Sequence, residues 1–281
     1  RSLGPVLCNF ARFVQQHTRN LQAAGKSVRT AFLLRDGHMP ARVCETLLGP
    51  GLARINVSRF TSIAASLYGK DDVAQLLAGS LSRQSMPALI RQLLLPDDQA
   101  KKILDKAHQA ESVELEFARL VLRDDTVRLI VERSRAFRER LLTHVKQRTG
   151  VQAGDTLVLV DLGYTGTVQN RLRRAFKEEL GVELFGLYLI SKHTLVDGAD
   201  RQGLIDGREV DSRLITALTA HIGLFEMMCS NTDPTTEDFT EQGDPVYAAS
   251  GPATAQEAVI QRIQAACLRF VNDAHATPER H

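Results

Sequence analysis

Residues 156–174 read TLVLVDLGYTGTVQNRLRR, and the interpretation of the whole chain starts from them. The first five are apolar or β-branched without interruption, which predicts a buried strand over 156–160 that ends at Asp161. Two glycines in residues 162–166 predict a tight turn, and apolar residues four apart predict a helix from Thr167 onward. The amide groups that start such a helix have no partner within it, so this corner is suited to binding an anion.

The same strand–turn–helix order occurs near the start of the chain. Residues 28–34 predict a buried strand, and a helical pattern follows over 39–48 with a proline in its first turn. Residues 53–57 and 183–190 predict two further strands. Strands that alternate with helices predict an α/β fold, with a Rossmann-like, mainly parallel sheet flanked by helices.

Two segments depart from this alternation. Residues 70–149 contain no strand-like stretch and predict an all-helical insertion, with helices at 71–79, 86–95, 96–110 and 111–148. Near the C-terminus the patterns predict a helix at 212–229, a small β-hairpin formed by 237–240 and 245–248, and a last helix at 255–272. We therefore predict one α/β domain over residues 1–281. Because the chain begins with Arg1 rather than methionine, we expect it to be the C-terminal part of a longer protein.

Composition narrows the classes of partner. The basic residues of 119–148 number nine, but four acids are interleaved with them, which favours a solvated helix face over a nucleic-acid groove. The four cysteines are far apart and form no CxxC pair, which is typical of a reducing, cytoplasmic compartment. No apolar run is long enough for a membrane span.

Polar residues follow three of the predicted strands, and in open α/β sheets ligands bind at the carboxyl ends of the strands. Arg35 and Arg59 are candidates to clamp a phosphate or carboxylate. Asp36 and Asp161 are candidates for the catalytic groups: they could hold a ribose hydroxyl, bind Mg²⁺ through water, or act as acid and base. The alternative for Asp36 is that it caps the helix of residues 39–48.

The turn after Asp161 is the candidate phosphate cradle, and the alternative is a plain strand–helix connection. We assign no metal ligand, because His38 and His193 lack a third ligand at recognisable spacing. Mg²⁺ is the one cofactor that the aspartates suggest. The remaining candidate ligand contacts are Gly37, His38, Ser58, Gly163, Thr165, Gly166, Thr167 and Gln169.

With these residues in place, the chain resembles the C-terminal region of a bacterial family described as predicted HAD-superfamily hydrolases, often found beside surface-polysaccharide glycosyltransferases. The resemblance runs almost end to end. In that family the aspartate nucleophile motif belongs to an upstream domain, and no such motif stands here. The resemblance implies an upstream HAD domain or a glycosyltransferase as partner. It is carried by FLLRDGH at 32–38, by Ser58-Arg59, by VDLGYTGTVQ at 160–169 and by an acidic helix near Glu226.

A second resemblance is local. VLVDLGYTGT at 158–167 is similar to the diphosphate-sugar loop of phosphoribosyltransferases, and RDGHMPA at 35–41 is similar to their pyrophosphate loop. This chain departs from that pattern at Val160, which stands where the first acid of the loop would be. Asp161 is then the one acid left to hold ribose hydroxyls.

These observations lead to one leading expectation for function. We expect a domain that binds a phosphorylated small molecule, either a sugar phosphate or a nucleotide, within a larger hydrolase or transferase of bacterial envelope polysaccharide metabolism. One alternative is a phosphoribosyltransferase-like enzyme. The other is a non-catalytic module that docks a partner protein.

Overall fold

The computed structural model describes residues 3–192, 200–249 and 254–276. His193, which the sequence placed on a strand-end loop, lies outside these residues. The chain divides into two compact units. The sheet unit comprises Arg1–Ser58, Val145–Thr236 and Tyr247–His281, and the helical unit comprises Arg59–His144 and Glu237–Val246.

The sheet unit is built on five parallel strands, which confirms the predicted α/β class. The strands are β1 (Val28–Leu33), β2 (Ala53–Ile55), β3 (Thr156–Tyr164), β4 (Glu183–Ser191) and β5 (Arg201–Asp206). They lie side by side in the order β2-β1-β3-β4-β5. The centre of β3 is completely buried from Leu157 to Val160, as its unbroken apolar run requires.

Helices cover this sheet and close its core. They are α1 (Leu3–Ala23), α2 (His38–Leu48), α9 (Thr167–Ala175), α10 (Ser212–Ala220), α11 (Ile222–Cys229) and α12 (Ala255–Ala276). The buried side chains include Phe10 of α1, Phe32 of β1, Met39 of α2 and Leu187 of β4. Among the described residues, no helix is long and apolar enough to cross a membrane.

The helical unit has a core of its own. Its helices are α3 (Arg59–Ala64), α4 (Lys70–Ser80), α5 (Met86–Gln92), α6 (Asp97–His108), α7 (Val113–Val121) and the part of α8 (Asp124–Thr149) that ends at His144. Leu76, Leu89, Phe117 and Ile130 are at most 2% exposed in this core. The all-helical segment is thus present, and it begins at Arg59 rather than near residue 70.

The predicted hairpin is also present, as β6 (Thr236–Phe239) and β7 (Pro245–Tyr247). Within the helical unit, Arg140 of α8 donates hydrogen bonds to both carboxylate oxygens of Asp238, at 2.7 and 2.9 Å. Phe239 packs between the rings of Phe137 and His144. These contacts fix the tip of the hairpin against α8.

Two predicted helices are in fact interrupted. The segment predicted as one helix at 111–148 is α7 followed by α8, with the break at Leu122 and Arg123. Two aspartates begin α8, where the helix dipole favours negative charge, so they start a new helix rather than continue the old one. The segment at 212–229 is likewise α10 followed by α11, with His221 between them.

Two strands also differ from the prediction. Strand β3 does not end at Asp161 but continues to Tyr164, because β4 runs far enough to pair with Gly163 and Tyr164. The predicted turn at 162–166 therefore shrinks to Thr165 and Gly166. Strand β5 was not predicted as a strand at all, since it contains arginine, glutamine, glycine and aspartate rather than an apolar run.

Candidate functional site

The strand order creates a crevice between β1 and β3. The chain leaves β1 toward β2 on one side and leaves β3 toward β4 on the other. Because parallel crossovers are right-handed, these opposite directions place α2 and α9 on opposite faces of the sheet. Ligands bind in doubly wound sheets at such a switch point, outside the carboxyl ends of the strands. Asp36, in the loop after β1, and Asp161, near the end of β3, both lie at this edge.

Asp161 lies on the sheet edge of this crevice, paired with Tyr188 of β4 and partly exposed. Its Oδ1 accepts a hydrogen bond from the amide of Leu162 at 2.8 Å. Burial, and then the negative charges of Asp36 and Glu226, raise the pKa of Asp161 to about 8. The charges of two other carboxyl groups thus act on Asp161, which is largely protonated at neutral pH.

Asp36 is held by the segment that follows α11. The hydroxyl of Ser230 donates to Asp36 Oδ1 at 2.6 Å, and the amide of Asn231 donates to the carbonyl of Arg35 at 3.4 Å. Gln264 of α12 donates in turn to the carbonyl of Ser230 at 2.8 Å. The end of α11, which carries Glu226, is therefore tied to the β1–α2 loop.

The alternative role for Asp36, as the cap of α2, is wrong. The residue at the N-cap position of α2 is Gly37, and no side chain of the described residues caps this helix. Gly37 is required at this position because an added Cβ would collide with the carbonyl oxygen of Leu33. Asp36 is thereby free of a capping role, and its bond to Ser230 directs it toward the α11 segment.

The candidate cradle lies between β3 and α9. Gly166 precedes α9 in the left-handed conformation, with φ of 66°, and within the described residues no side chain caps the helix. The hydroxyl oxygens of Thr165 and Thr167 lie 2.8 Å apart. The two loops of the crevice each contain a cis peptide bond, Leu34–Arg35 in one and Gly163–Tyr164 in the other. The uncapped first turn of α9 can therefore donate its amides to a ligand.

The two other candidate residues of the β1–α2 region, Arg35 and His38, differ in their exposure to solvent. Arg35 is exposed, and His38 is partly buried at the start of α2. Burial lowers the pKa of His38, and the charges of Arg42 and Arg54 lower it further, against an opposing effect of Asp233. His38 is therefore neutral at pH 7.

Ser58 and Arg59 are separated by the boundary between the two units. Ser58 is the last residue of the first segment of the sheet unit, and Arg59 is the exposed first residue of α3 in the helical unit. The sheet unit thus contains Asp36 and Asp161 but not Arg59. The role of Arg59 as an anion clamp stays a prediction.

Gln169 has a structural role. It is completely buried, its amide nitrogen donates to the carbonyl of Asp200 at 2.8 Å, and its amide oxygen accepts from the hydroxyl of Tyr188 at 2.9 Å. Gly186 makes room for it, since a Cβ there would collide with the Gln169 amide oxygen. Gln169 therefore joins α9 to β4 and to the start of β5, and we no longer count it as a ligand contact.

We expect Gln169→Leu to lower the free energy of unfolding by about 2–3 kcal/mol, because it leaves the buried Tyr188 hydroxyl without its acceptor. It also removes one of the two hydrogen bonds to the Asp200 carbonyl, which keeps the bond from the Gly186 amide at 2.9 Å. Urea unfolding followed by circular dichroism measures the loss. The exposed neighbour provides a matched control, and Asn170→Leu should change stability by no more than about 0.5 kcal/mol. Equal effects of the two substitutions would contradict this role.

The sequence did not single out Ser230 or Arg201, and it noted Glu226 only as part of an acidic helix. Ser230 and Glu226 come from a segment more than sixty residues after Asp161, and no spacing links them to it. In the described residues, no group of three histidine, cysteine, aspartate or glutamate side chains is placed to hold a metal ion.

The fold and the site together define an α/β domain with an acidic, glycine-lined crevice at the switch point of its sheet. Comparison with protein-family models and with curated proteins gives no match for this chain.

Proposed function

We propose that the sheet unit binds a phosphorylated small molecule, a sugar phosphate or a nucleotide, in the crevice between β1 and β3. The observation that carries the proposal is the juxtaposition of two features at that crevice. The uncapped N-terminus of α9 follows β3, and the charge of Asp36, in the loop after β1, helps to raise the pKa of Asp161 on the neighbouring strand β3. The helix N-terminus is suited to binding an anion, and the two aspartates are suited to binding hydroxyl groups or a cation.

The phosphate group would lie at the first turn of α9. The amides there have no acceptor inside the helix, and the helix dipole is positive at this end. The hydroxyls of Thr165 and Thr167 lie beside the same turn, and because one donates to the other, one of them is left to donate to the phosphate. Backbone amides, hydroxyls and a helix N-terminus are the usual phosphate-binding groups of α/β proteins.

The carboxyl groups would face the rest of the ligand. A protonated Asp161 can donate a hydrogen bond or a proton to a ligand oxygen, while Asp36 accepts one. Mg²⁺ fits the same pair, because it is commonly bound by one or two carboxylates together with the phosphates of a substrate. Asp36 and a deprotonated Asp161 would hold the Mg²⁺, which would supply positive charge to the phosphate.

The class of reaction follows from the family resemblance. We propose that the domain serves a larger hydrolase or transferase of bacterial envelope polysaccharide metabolism, with an upstream HAD domain or a glycosyltransferase as partner. Arg35 would approach the phosphate from the β1–α2 loop.

One observation favours a second candidate, a phosphoribosyltransferase-like enzyme. The loops similar to the pyrophosphate and diphosphate-sugar loops of that family follow neighbouring strands, β1 and β3. Against it, Val160 is completely buried and replaces the first acid of the loop. Phosphoribosyl diphosphate with Mg²⁺ would be the ligand in this case.

A thermal-shift screen over sugar phosphates, nucleotides and phosphoribosyl diphosphate, each with and without Mg²⁺, tests the proposal. A ligand at a hundredfold its Kd should add about 2.7 kcal/mol of stability. We expect Asp36→Asn to weaken binding at least about tenfold, since a hydrogen bond to a charged group is lost.

The control for this variant is Glu183→Gln, an exposed carboxylate at the opposite end of β4, which should leave the Kd unchanged. A shift with phosphoribosyl diphosphate and with no other compound would favour the transferase. If no phosphorylated compound stabilises the protein while a partner protein does, the chain is a docking module and the proposal is wrong.

A further inference from the structure

A buried arginine supports the turn that the proposed function assigns to the phosphate. Arg201, the first residue of β5, is 2% exposed. Its Nη1 donates to the carbonyl oxygen of Thr165 at 2.8 Å, and its Nη2 donates to the carbonyl oxygen of Lys192 at 3.2 Å. One guanidinium group thus joins the loop after β3 to the end of β4.

The turn is shaped to receive this guanidinium. A Cβ added at Gly166 would lie 2.6 Å from Arg201 Nη1, closer than side-chain carbons approach such atoms. Gly166 also has a φ of 66°, a conformation that glycine adopts without cost. The backbone conformation therefore favours glycine at this position, and a side chain there would also displace the end of the Arg201 side chain.

The hydrogen bond to Thr165 also fixes the direction of a donor. In a trans peptide the carbonyl and the next amide point in opposite directions. Because the Thr165 carbonyl is directed at Arg201, the amide of Gly166 is directed away from it. The first turn of α9 follows immediately, so its amides are oriented by the same anchor.

We propose that Arg201 is a positioning residue that holds the Thr165–Gly166 turn in its phosphate-binding conformation. The proposal rests on the proposed function of the crevice. The planar guanidinium group reaches the Thr165 and Lys192 carbonyl oxygens at once, so it fixes the turn relative to the end of β4.

The test uses two substitutions at Arg201 and one control. Arg201→Lys keeps the positive charge but lacks the planar fork that reaches two carbonyls at once, and Arg201→Gln removes the charge. The control is Arg213→Lys, which changes an exposed arginine paired with Asp211 at the start of α10. Binding of inorganic phosphate is measured by NMR titration of backbone amides, and folding is checked by circular dichroism.

We expect Arg201→Lys to weaken phosphate binding about tenfold and Arg201→Gln to weaken it further, with Arg213→Lys unchanged. If the arginine variants do not fold, Gly166→Ala tests the same contact from the loop side and should weaken phosphate binding similarly.

The possible failures are distinct. Wild-type protein that binds no phosphate in the crevice overturns the proposed function, and this inference with it. Wild-type protein that binds phosphate, with folded Arg201 variants of unchanged Kd, overturns the inference alone.

Discussion

Replacing Gly163 by alanine is expected to lower the free energy of unfolding by about 3–5 kcal/mol, the largest loss that we predict for any single methyl group in the crevice. Gly163 has a φ of 125°, a conformation that alanine rarely adopts. A Cβ at this position would also collide with the carbonyl oxygen of Ile190 on the neighbouring strand. Because that oxygen belongs to the backbone, β3 and β4 must separate locally to admit the methyl group.

Gly25 offers a matched control for this substitution. It also has a positive φ, of 81°, but an added Cβ would meet no atom within 4 Å. Gly25→Ala should therefore lose only the conformational term, about 1 kcal/mol. Chemical unfolding of both variants separates the cost of the backbone conformation from the cost of the collision with the Ile190 carbonyl. If Gly163→Ala loses no more stability than Gly25→Ala, the close approach of β3 and β4 at this point is not as described.

Asp161→Asn is expected to stabilise the protein, by an amount that increases with pH. Burial and the charges of Asp36 and Glu226 raise the pKa of Asp161 from 3.8 to about 8 in the folded state. Between these values the folded protein retains a proton that the unfolded chain has lost, so wild-type stability falls as pH rises through this window. Asparagine has no proton to lose and avoids that cost.

The gain should be small near pH 4 and reach about 2–4 kcal/mol at pH 9, a range reduced to allow for the partial exposure of Asp161. Unfolding by urea between pH 4 and pH 9 measures it. A variant that is less stable than wild type throughout this range would contradict the proposed environment of Asp161.

Asp155 is a control whose pKa is shifted in the direction opposite to that of Asp161. Its carboxylate accepts hydrogen bonds from Ser27 at 2.5 Å and from the amide of Gln152 at 2.8 Å. The bond from Ser27, followed by that from Gln152, lowers the pKa of Asp155. Asp155 therefore stabilises the folded state at pH values above the ordinary pKa of aspartate. This stabilisation is lost as the pH falls through the lower pKa that Asp155 has in the folded protein. Asp155→Asn should therefore destabilise the protein at neutral pH, and the difference should fade in acid.

The sequence predicted those parts of the fold that local pattern determines. The apolar runs of β1, β3 and β4 identify them as buried strands, and β1, which Arg35-Asp36-Gly37 follow, pairs with β3, which carries Asp161. Strand β5 escaped prediction because its polar residues are satisfied by partners distant in sequence, such as the Thr165 carbonyl for Arg201. A pattern of residue types along the chain does not contain such long-range pairs.

The site was predicted only in part for the same reason. Asp36 and Asp161 each stand in a recognisable strand-end motif, so they could be found one by one. Glu226 and Ser230 approach them through the packing of α11 and α12, which follows from tertiary structure. Gln169 was misassigned because a polar residue beside a glycine turn resembles a ligand contact, whereas its burial satisfies Tyr188 and Asp200.

The central claim is that the β1–α2 and β3–α9 loops form one binding site. NMR titration of the protein, with the phosphorylated compound that gives the largest thermal shift and with Mg²⁺, tests it most directly. We expect the amide resonances of Asp36–His38 and of Thr165–Val168 to shift together, with one common Kd. Shifts in one loop without the other, or shifts confined to the rest of the chain, would contradict it.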